Sequence, residues 1–307
     1  MMRVRPLVSI GLPVRNGATL LKGAIESLLG QDYGDLEIII SDNASTDQTE
    51  DICREYASKD SRIRYSRSDV DLGPVKNFNR VLALSKNPYF MWASHDDEWK
   101  SSYVRKCVEL LEHQPDAVLA ATQCVSIDSL SGKVMFTDSG LTTIGLGPAA
   151  RFRRYRSVIH SGQHIGSIFY GVYRRAFLIQ ATPIRNIITT DHLALARLCL
   201  LGEFATVEEP LLLKRYGGSS RSFKSLARVL GISNPFLQRF PYLVREAYMQ
   251  QIIFQSNQLA VIEKAGLSCW SAGHYLWVNF LVGGVKSLAP EILKEPVKRW
   301  LSRRKEN

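Results

Sequence analysis

The sequence predicts an α/β fold: a mostly parallel sheet flanked by helices, continued by a helical C-terminal extension. Three observations lead there. Short apolar runs alternate four times with amphipathic helical patterns over roughly the first 115 residues, the pattern of a parallel sheet with crossover helices. The strand runs are apolar throughout, as in strands buried on both faces. Past residue 222 the alternation stops and helical patterns take over.

Taken in order, Leu7-Val8-Ser9-Ile10-Gly11-Leu12 is the first strand, and it runs into the turn Pro13-Val14-Arg15-Asn16-Gly17. Ala18, Leu21, Ile25 and Leu28 then recur at helical spacing, with Asn16 placed to cap that helix. Leu36-Glu37-Ile38-Ile39-Ile40 is the second strand. It ends in Ser41-Asp42-Asn43-Ala44-Ser45-Thr46-Asp47, where Ser45 with Gln48 suggests a capping box for a helix reaching about Ser58. Arg62 to Tyr65 is a third strand. Asp71-Leu72-Gly73 then turns into a helix with Pro74 at its first position and Val75, Phe78 and Leu82 on its buried stripe. The fourth strand, Tyr89-Phe90-Met91-Trp92, stops at Ser94-His95-Asp96-Asp97, and Val104, Val108 and Leu111 mark the next helix.

Ala117 to Ile127 has β character and turns at Ser129-Leu130-Ser131-Gly132 into Lys133-Val134-Met135-Phe136, a hairpin. Residues 137–150 read as a loop over the site. The stretch Arg151-Phe152-Arg153-Arg154-Tyr155-Arg156 reads as a solvated helix face, with phosphate contact as the alternative. A helix opens at Thr189-Thr190-Asp191 and ends near Gly202, and apolar runs follow at 203–207 and 211–216. In the tail, Tyr248, Ile252, Leu259 and Ile262 fall on one face of a long helix. Trp270, Tyr275, Leu276, Trp277, Phe280 and Leu281 belong to another. The expected division is a catalytic unit at 1–222, with halves near 1–100 and 101–222, and a basic extension at 223–307.

The net charge of +10 is unevenly placed. Residues 1–213 hold 24 basic and 24 acidic side chains, whereas residues 214–307 hold 15 and 5. Such asymmetry points to an anionic partner for the C-terminal third. Its basic residues and aromatics suit an anionic membrane surface, and they suit equally a helical appendage packed on the catalytic unit. Nucleic acid is not expected, because no known binding motif interleaves these charges. Five dispersed cysteines without C-x-x-C spacing argue for a reducing compartment. No run offers the roughly 20 apolar residues of a spanning helix. The expected location is therefore cytoplasmic, with peripheral contact at the inner face of the membrane as the open question.

Adjacent carboxylates at the C-terminal end of a buried strand suit a divalent cation and a phosphorylated ligand. Hard cations take oxygen ligands, and open α/β sheets bind ligands beyond the carboxyl ends of their strands. The first strand–helix turn lacks the G-x-G-x-x-G of dinucleotide-binding domains, and no G-x-x-x-x-G-K-[ST] loop is present.

With these pieces in place, the N-terminal half resembles the family 2 glycosyltransferases of the GT-A fold, a Rossmann-like sheet flanked by helices. The matching stretches are Val8 to Gly17, Glu37 to Asp47 (where the family has EIIIVDDGSTD) and the aspartate motif at 94–97. The resemblance implies inverting transfer of a sugar from a nucleotide-diphosphate donor to a carbohydrate or lipid-linked hydroxyl acceptor, in polysaccharide, cell-envelope or glycolipid synthesis. It implies that Pro13, Val14 and Asn16 border the nucleotide, Asp42 hydrogen-bonds the base, and Asp96 faces the ribose. Asp97 would bind manganese or magnesium, Asn77 or Asn79 would lie nearby, and Asp191 would be the general base. Two departures stand out: Ser94 replaces the first acid of D-x-D-D, and Thr190 replaces the Glu of an E-D pair. Where the family has R-x-H, this chain has Tyr216 or Gly217, so no third metal ligand is expected, and Lys214, Arg215 or Arg221 are candidates to face the diphosphate. The thinned motif leaves a rival reading, a non-catalytic nucleotide-sugar-binding or membrane scaffold protein of the same fold. A nucleotidyltransferase would require a Gly-rich basic loop after the first strand, which is not found.

Overall fold

In the computed structural model, which describes residues 7–160, 166–187, 190–217, 227–235 and 240–276, the chain is built on one mixed sheet. Strands β1 (Val8–Val14), β2 (Leu36–Asp42), β3 (Ile63–Arg67) and β4 (Tyr89–Trp92) lie in the order β3-β2-β1-β4, all parallel. Helices α1 (Ala18–Leu29), α2 (Thr49–Lys59) and α3 (Pro74–Leu84) connect them. The two-residue strand β5 (Glu98–Trp99) and helix α4 (Tyr103–His113) follow. A hairpin of β6 (Ala117–Asp128) and β7 (Val134–Asp138) leads to helix α5 (Pro148–His160). Next come β8 (Val172–Arg174), α6 (Arg175–Ala181), α7 (Thr190–Leu201) and the long strand β9 (Glu203–Tyr216). The sheet continues beyond β4 as β8-β6-β9-β5. Pairing is antiparallel at β4–β8, β8–β6 and β9–β5, and parallel at β6–β9.

Period-two alternation explains why the strands are apolar throughout. Ile38 and Ile40 point to one face of the sheet and Ile39 to the other; Tyr89 and Met91 oppose Phe90 and Trp92 in the same way. One face is covered by α1, α2 and α4 through Leu21, Ile25, Leu28, Cys53, Val104 and Leu111. The other is covered by α3, α5, α6 and α7. Each fully buried Leu, Ile or Phe contributes about 1.5–3 kcal/mol, so two dry faces fix the register of the central strands firmly.

The tail joins the second of these cores. Helices α8 (Pro241–Gln255) and α9 (Val261–Leu276) place Met249, Ile252, Ile253, Leu259 and Leu267 among the buried residues of α5 and α7. The single long helix expected through Ile262 is interrupted at 256–260. There Ser256 Oγ accepts from the Gln258 N–H (3.1 Å) and Glu263 accepts from the Ala260 N–H (2.9 Å), so local side-chain bonds replace helix bonds. Leu259 lies buried in that break, and Ile262 is 84% exposed. Among the described residues no helix is long and apolar enough to cross a membrane. The expected features at Trp277, Phe280, Leu281, Arg221, the 222/223 boundary and the basic C-terminal run all lie outside the described residues.

The capping expectations also need correction. Asn16 has φ +50° and does not cap α1; its Oδ1 accepts from the Thr46 N–H (2.8 Å). The first amides of α1 are met from the next strand–helix loop instead: Gly17 N by Thr49 Oγ1 (2.9 Å) and Ala18 N by Asp47 Oδ2 (3.2 Å). Ser45 and Gln48 form no capping box, because Ser45 turns inward to Asp42. The arginine-rich stretch is only half solvated. Arg153 and Arg154 are exposed, but Arg151 is buried and donates to the carbonyls of Cys199 and Leu200, the last turn of α7. Arg156 is fully buried and pairs with Glu246 of α8.

Candidate active site

The C-terminal ends of β1, β2 and β4 form one edge, and most of the expected site residues lie along it. Val14 pairs with Asp42 in register, and Pro13 with Ser41. Pro13 and Val14 are buried at the end of β1, whereas Arg15 and Asn16 face solvent. Gly17 permits this turn to pass close to the acidic motif, since a Cβ there would meet His95 Cδ2 at 2.6 Å.

Asp42 is fully buried, and its oxygens are already engaged. Oδ1 accepts from Ser45 N (2.9 Å) and Ser45 Oγ (2.6 Å); Oδ2 accepts from Tyr65 Oη (2.8 Å), with Arg67 Nε at 3.5 Å. In this arrangement the carboxylate anchors the 43–47 loop. Asn77 is similarly internal. Its Oδ1 accepts from Ser41 Oγ (2.7 Å) and its Nδ2 donates to Ser41 O (2.8 Å), stitching α3 to β2. Asn79 clasps both backbone groups of Ile184 at 2.9 Å. Both asparagines thus spend these hydrogen bonds within the fold.

The acidic motif is met by a strand that the sequence placed far away. Antiparallel pairing of β5 with β9 sets Glu98 against Leu213 and Trp99 against Leu212, so the next residues of β9 fall beside Asp96 and Asp97. Asp97 Oδ2 lies 3.3 Å from Lys214 Nζ, and Asp97 Oδ1 accepts from the Arg215 N–H at 2.8 Å. The Arg215 guanidinium donates to the Asp96 carbonyl (2.8 Å) and to Glu98 Oε1 (2.7 Å). Ser94 Oγ donates to Asp96 Oδ1, so the serine standing where the family has an acid serves to orient Asp96.

The Lys214 ammonium also sits 4.2 Å above the ring of Tyr170, a cation–π contact. Tyr170 ends a 3-10 turn, Gly166–Tyr170, that Phe169 fixes by stacking on Trp92 at 4.7 Å. Burial pushes the Tyr170 phenol up; Lys214 pulls it down, and Asp97, Asp96 and Asp191 add to the rise. Burial pulls the Lys214 ammonium toward the neutral amine, but Tyr170, Asp97 and Asp96 outweigh it, and its pKa lies above the ordinary lysine value. Burial pushes Asp97 up against the pull of Lys214 and the Arg215 N–H.

Asp191 stands in the first turn of α7. It is partly exposed and lies 3.9 Å from His192 Nε2. Burial lowers the His192 pKa; Asp191 opposes that, and Arg245 and Arg156 reinforce it. Sequence reasoning missed Tyr170, which no motif marks, and the pairing of Lys214 with Asp97, which only the β5–β9 register reveals.

The donor set does not fit a divalent cation at Asp97. Each of its oxygens already accepts from one protein donor, and one of those donors is itself a cation that repels a divalent ion. No group of three or more His, Cys, Asp or Glu among the described residues is placed to hold a metal ion.

A mostly parallel sheet that carries an acidic motif at the edge of β4, with an antiparallel strand beyond it, defines the GT-A class of fold. The chain belongs to glycosyl transferase family 2, whose sequence model matches residues 9–179. It is 29% identical over 164 residues to the putative colanic acid biosynthesis glycosyl transferase WcaA of Escherichia coli, covering 53% of this chain and 57% of that one. Other bacterial glycosyltransferases at 35–37% identity align over 34% of this chain and 32% of their own length. Among solved structures, S. aureus TarS 1-349 in complex with UDP-GlcNAc superposes with TM-score 0.64 at 16% identity, over 95% of this chain and 78% of that one. Mannosyltransferase PcManGT from Pyrobaculum calidifontis, in complex with GDP-Man and Mn2+, gives TM-score 0.51 at 18% identity, over 97% and 84%. These two similarities concern the fold.

Proposed function

We propose that the protein is an inverting glycosyltransferase that moves a sugar from a nucleotide-diphosphate donor to a hydroxyl acceptor. The observation that carries this reading is the acidic pair Asp96-Asp97 just past the end of β4, with Lys214 3.3 Å from Asp97 and 4.2 Å above the Tyr170 ring, in a chain of family 2. The nucleotide lies along the ends of β1 and β2, bordered by Pro13, Val14 and Asn16, with Asp96 toward the ribose and the diphosphate toward Lys214. Asp42 and Asn77 act indirectly, by holding the loop and strand that frame the base. Asp191 takes the proton of the acceptor hydroxyl as its oxygen attacks the anomeric carbon. The new C–O bond forms as the bond to the diphosphate breaks on the opposite face, so one displacement inverts the centre. Metal dependence is no part of this proposal, because Asp97 is already committed.

The colanic acid relative supports a place in polysaccharide synthesis, and the acceptor proposed is a carbohydrate or lipid-linked hydroxyl. The proposed location is cytoplasmic. Exposed apolar side chains on α8 and α9, Leu243, Phe254, Val261 and Ile262 among them, support peripheral contact with an anionic membrane through the extension 223–307. That extension is proposed as a unit appended to the catalytic unit 1–222.

The test is a panel of UDP- and GDP-sugars, with and without polyprenyl-diphosphate-linked acceptors, read by donor consumption and by thermal shift. Asp191→Asn should abolish consumption and keep the donor-induced shift. A panel in which no nucleotide sugar shifts the melt or is consumed would sink the proposal. A shift without transfer or hydrolysis would favour the non-catalytic binding protein.

A further inference from the structure

Lys214 and Asp97 occupy the place where a family 2 site would gather a divalent ion, and their order of depth matters. The Asp97 side chain is 1% exposed and that of Lys214 is 22% exposed, so the carboxylate lies behind the ammonium. An anion arriving from solvent meets the lysine first. A divalent ion would have to push Lys214 off Asp97 Oδ2 and then displace the Arg215 N–H from Oδ1. It would win one deeply buried carboxylate, with the Lys214 cation 3.3 Å away repelling it.

The lysine is fixed in place. Its Nζ is 3.3 Å from Asp97 and 4.2 Å from the centre of the Tyr170 ring, while β9 pairs with β6 on one side and β5 on the other. An ammonium has three N–H donors; Asp97 takes one and the ring face attracts the charge, leaving donors for a third partner. Arg215, 20% exposed and tied to Glu98 and the Asp96 carbonyl, adds a second cation beside it.

We propose that Lys214 is a built-in counter-ion for the donor diphosphate, so that nucleotide binding and departure of the nucleoside diphosphate need no divalent metal. The inference rests on the donor-site reading above and goes beyond it by assigning the charge-neutralising group. Asp97 is then a positioning residue that holds the ammonium, and Tyr170 screens the pair from water.

Calorimetric titration of the full chain with UDP, GDP, ADP and CDP, in EDTA and in manganese, tests this. At least one of them should bind, and its dissociation constant should change by less than about threefold between the two conditions. Lys214→Met should weaken binding in EDTA by roughly 10- to 100-fold, the usual worth of a charge-assisted contact. Lys214→Arg should restore most of it. A spin-resonance titration with manganese alone gives a second readout: the wild type should leave the ion free, and Lys214→Met should create a site at the uncovered Asp97. Stoichiometric manganese binding by the wild type, or nucleotide binding that disappears in EDTA, overturns the proposal and leaves the glycosyltransferase reading standing. Failure of every diphosphate to bind under both conditions removes the donor site itself, and this proposal with it. Melting curves show whether each variant is folded; should Lys214→Met fail to fold, loss of binding in EDTA by the wild type remains decisive.

Discussion

Glu246→Ala should lower the unfolding free energy by about 3–5 kcal/mol, the cost of stranding a buried charge. The charge is Arg156, whose side chain is 0% exposed and whose Nη2 donates to Glu246 Oε2. The other oxygen of Glu246 accepts from Ser271 Oγ (2.7 Å) and Gln250 Nε2 (2.8 Å), so its loss also frees two donors at the α8–α9 contact. Arg156 is poorly compensated even in the wild type, because its Nε and Nη1 have no hydrogen-bond partner among the described residues and burial lowers its pKa. The opposite truncation should therefore be milder. Arg156→Met removes the desolvated cation, keeps much of its packing volume and leaves Glu246 two donors, at a cost of about 1–2 kcal/mol. The double variant Arg156→Met/Glu246→Leu should fall within about 1 kcal/mol of the wild type or exceed it. Urea unfolding of the wild type, the two single variants and the matched double Arg156→Met/Glu246→Ala closes the cycle, with Arg156→Met/Glu246→Leu as the apolar reference. If Arg156→Met costs more than Glu246→Ala, or if the two effects simply add, the pair is not the under-compensated charge described here.

Other expectations follow from the same geometry. Asp191→Asn should reduce turnover by about 10²- to 10⁴-fold while the dissociation constant for the donor stays within a factor of about three; equal losses in binding would take Asp191 out of the chemical step. His192 has its pKa lowered from 6.5, first by burial and then by Arg245 and Arg156 against Asp191. The unfolded chain therefore takes up its proton before the folded one. Stability should be fully present above pH 6.5 and fall by up to about 1.4 kcal/mol per pH unit below it, until the folded imidazole is itself protonated. Unfolding midpoints at about pH 7.5 and 5.5 should show a shallower slope for His192→Gln, and identical slopes would contradict the assignment. Gly17→Ala puts a Cβ 2.6 Å from His95 Cδ2 and 2.7 Å from Val14 Cγ2. It should cost about 1–3 kcal/mol, read as a lower melting temperature, and an unchanged melt would mean that the turn yields freely.

The four parallel strands and their helices are legible in the sequence because double-sided burial writes itself as β-branched runs, of which Ile38-Ile39-Ile40 is the clearest. Pro74 and the spacing of Val75, Phe78 and Leu82 mark α3 equally well. What stays hidden is cooperation across distance. Asp42 and Asn77 look like ligand-facing polar residues, yet they spend their hydrogen bonds on Ser45, Tyr65 and Ser41, partners that only the folded sheet supplies. The amides of α1 are capped by Asp47 and Thr49 from the following loop, so a search of the residues just ahead of the helix finds the wrong cap. Arg151 and Arg156 read as solvent-facing because a lone sequence does not reveal that α7 and α8 cover them. Of the site, the acidic motif and Asp191 were visible. The ammonium resting on Asp97 was not, because their contact depends on a two-residue strand pairing with one of fourteen.

That short pairing has a consequence for how the protein comes into being. Lys214 and Asp97 are 117 positions apart, so the first half of the sheet can form while the chain is still being synthesised, before the lysine exists. Until β9 docks, Asp97 lacks both the Lys214 ammonium and the Arg215 N–H, and β5 has no strand to pair with. Pulse-labelled hydrogen exchange should show amides of β1, β2 and β4 protected before those of β5 and β9. The last strand is then more than a border of the sheet: it is a maturation step, without which Asp97 has neither of its β9 partners.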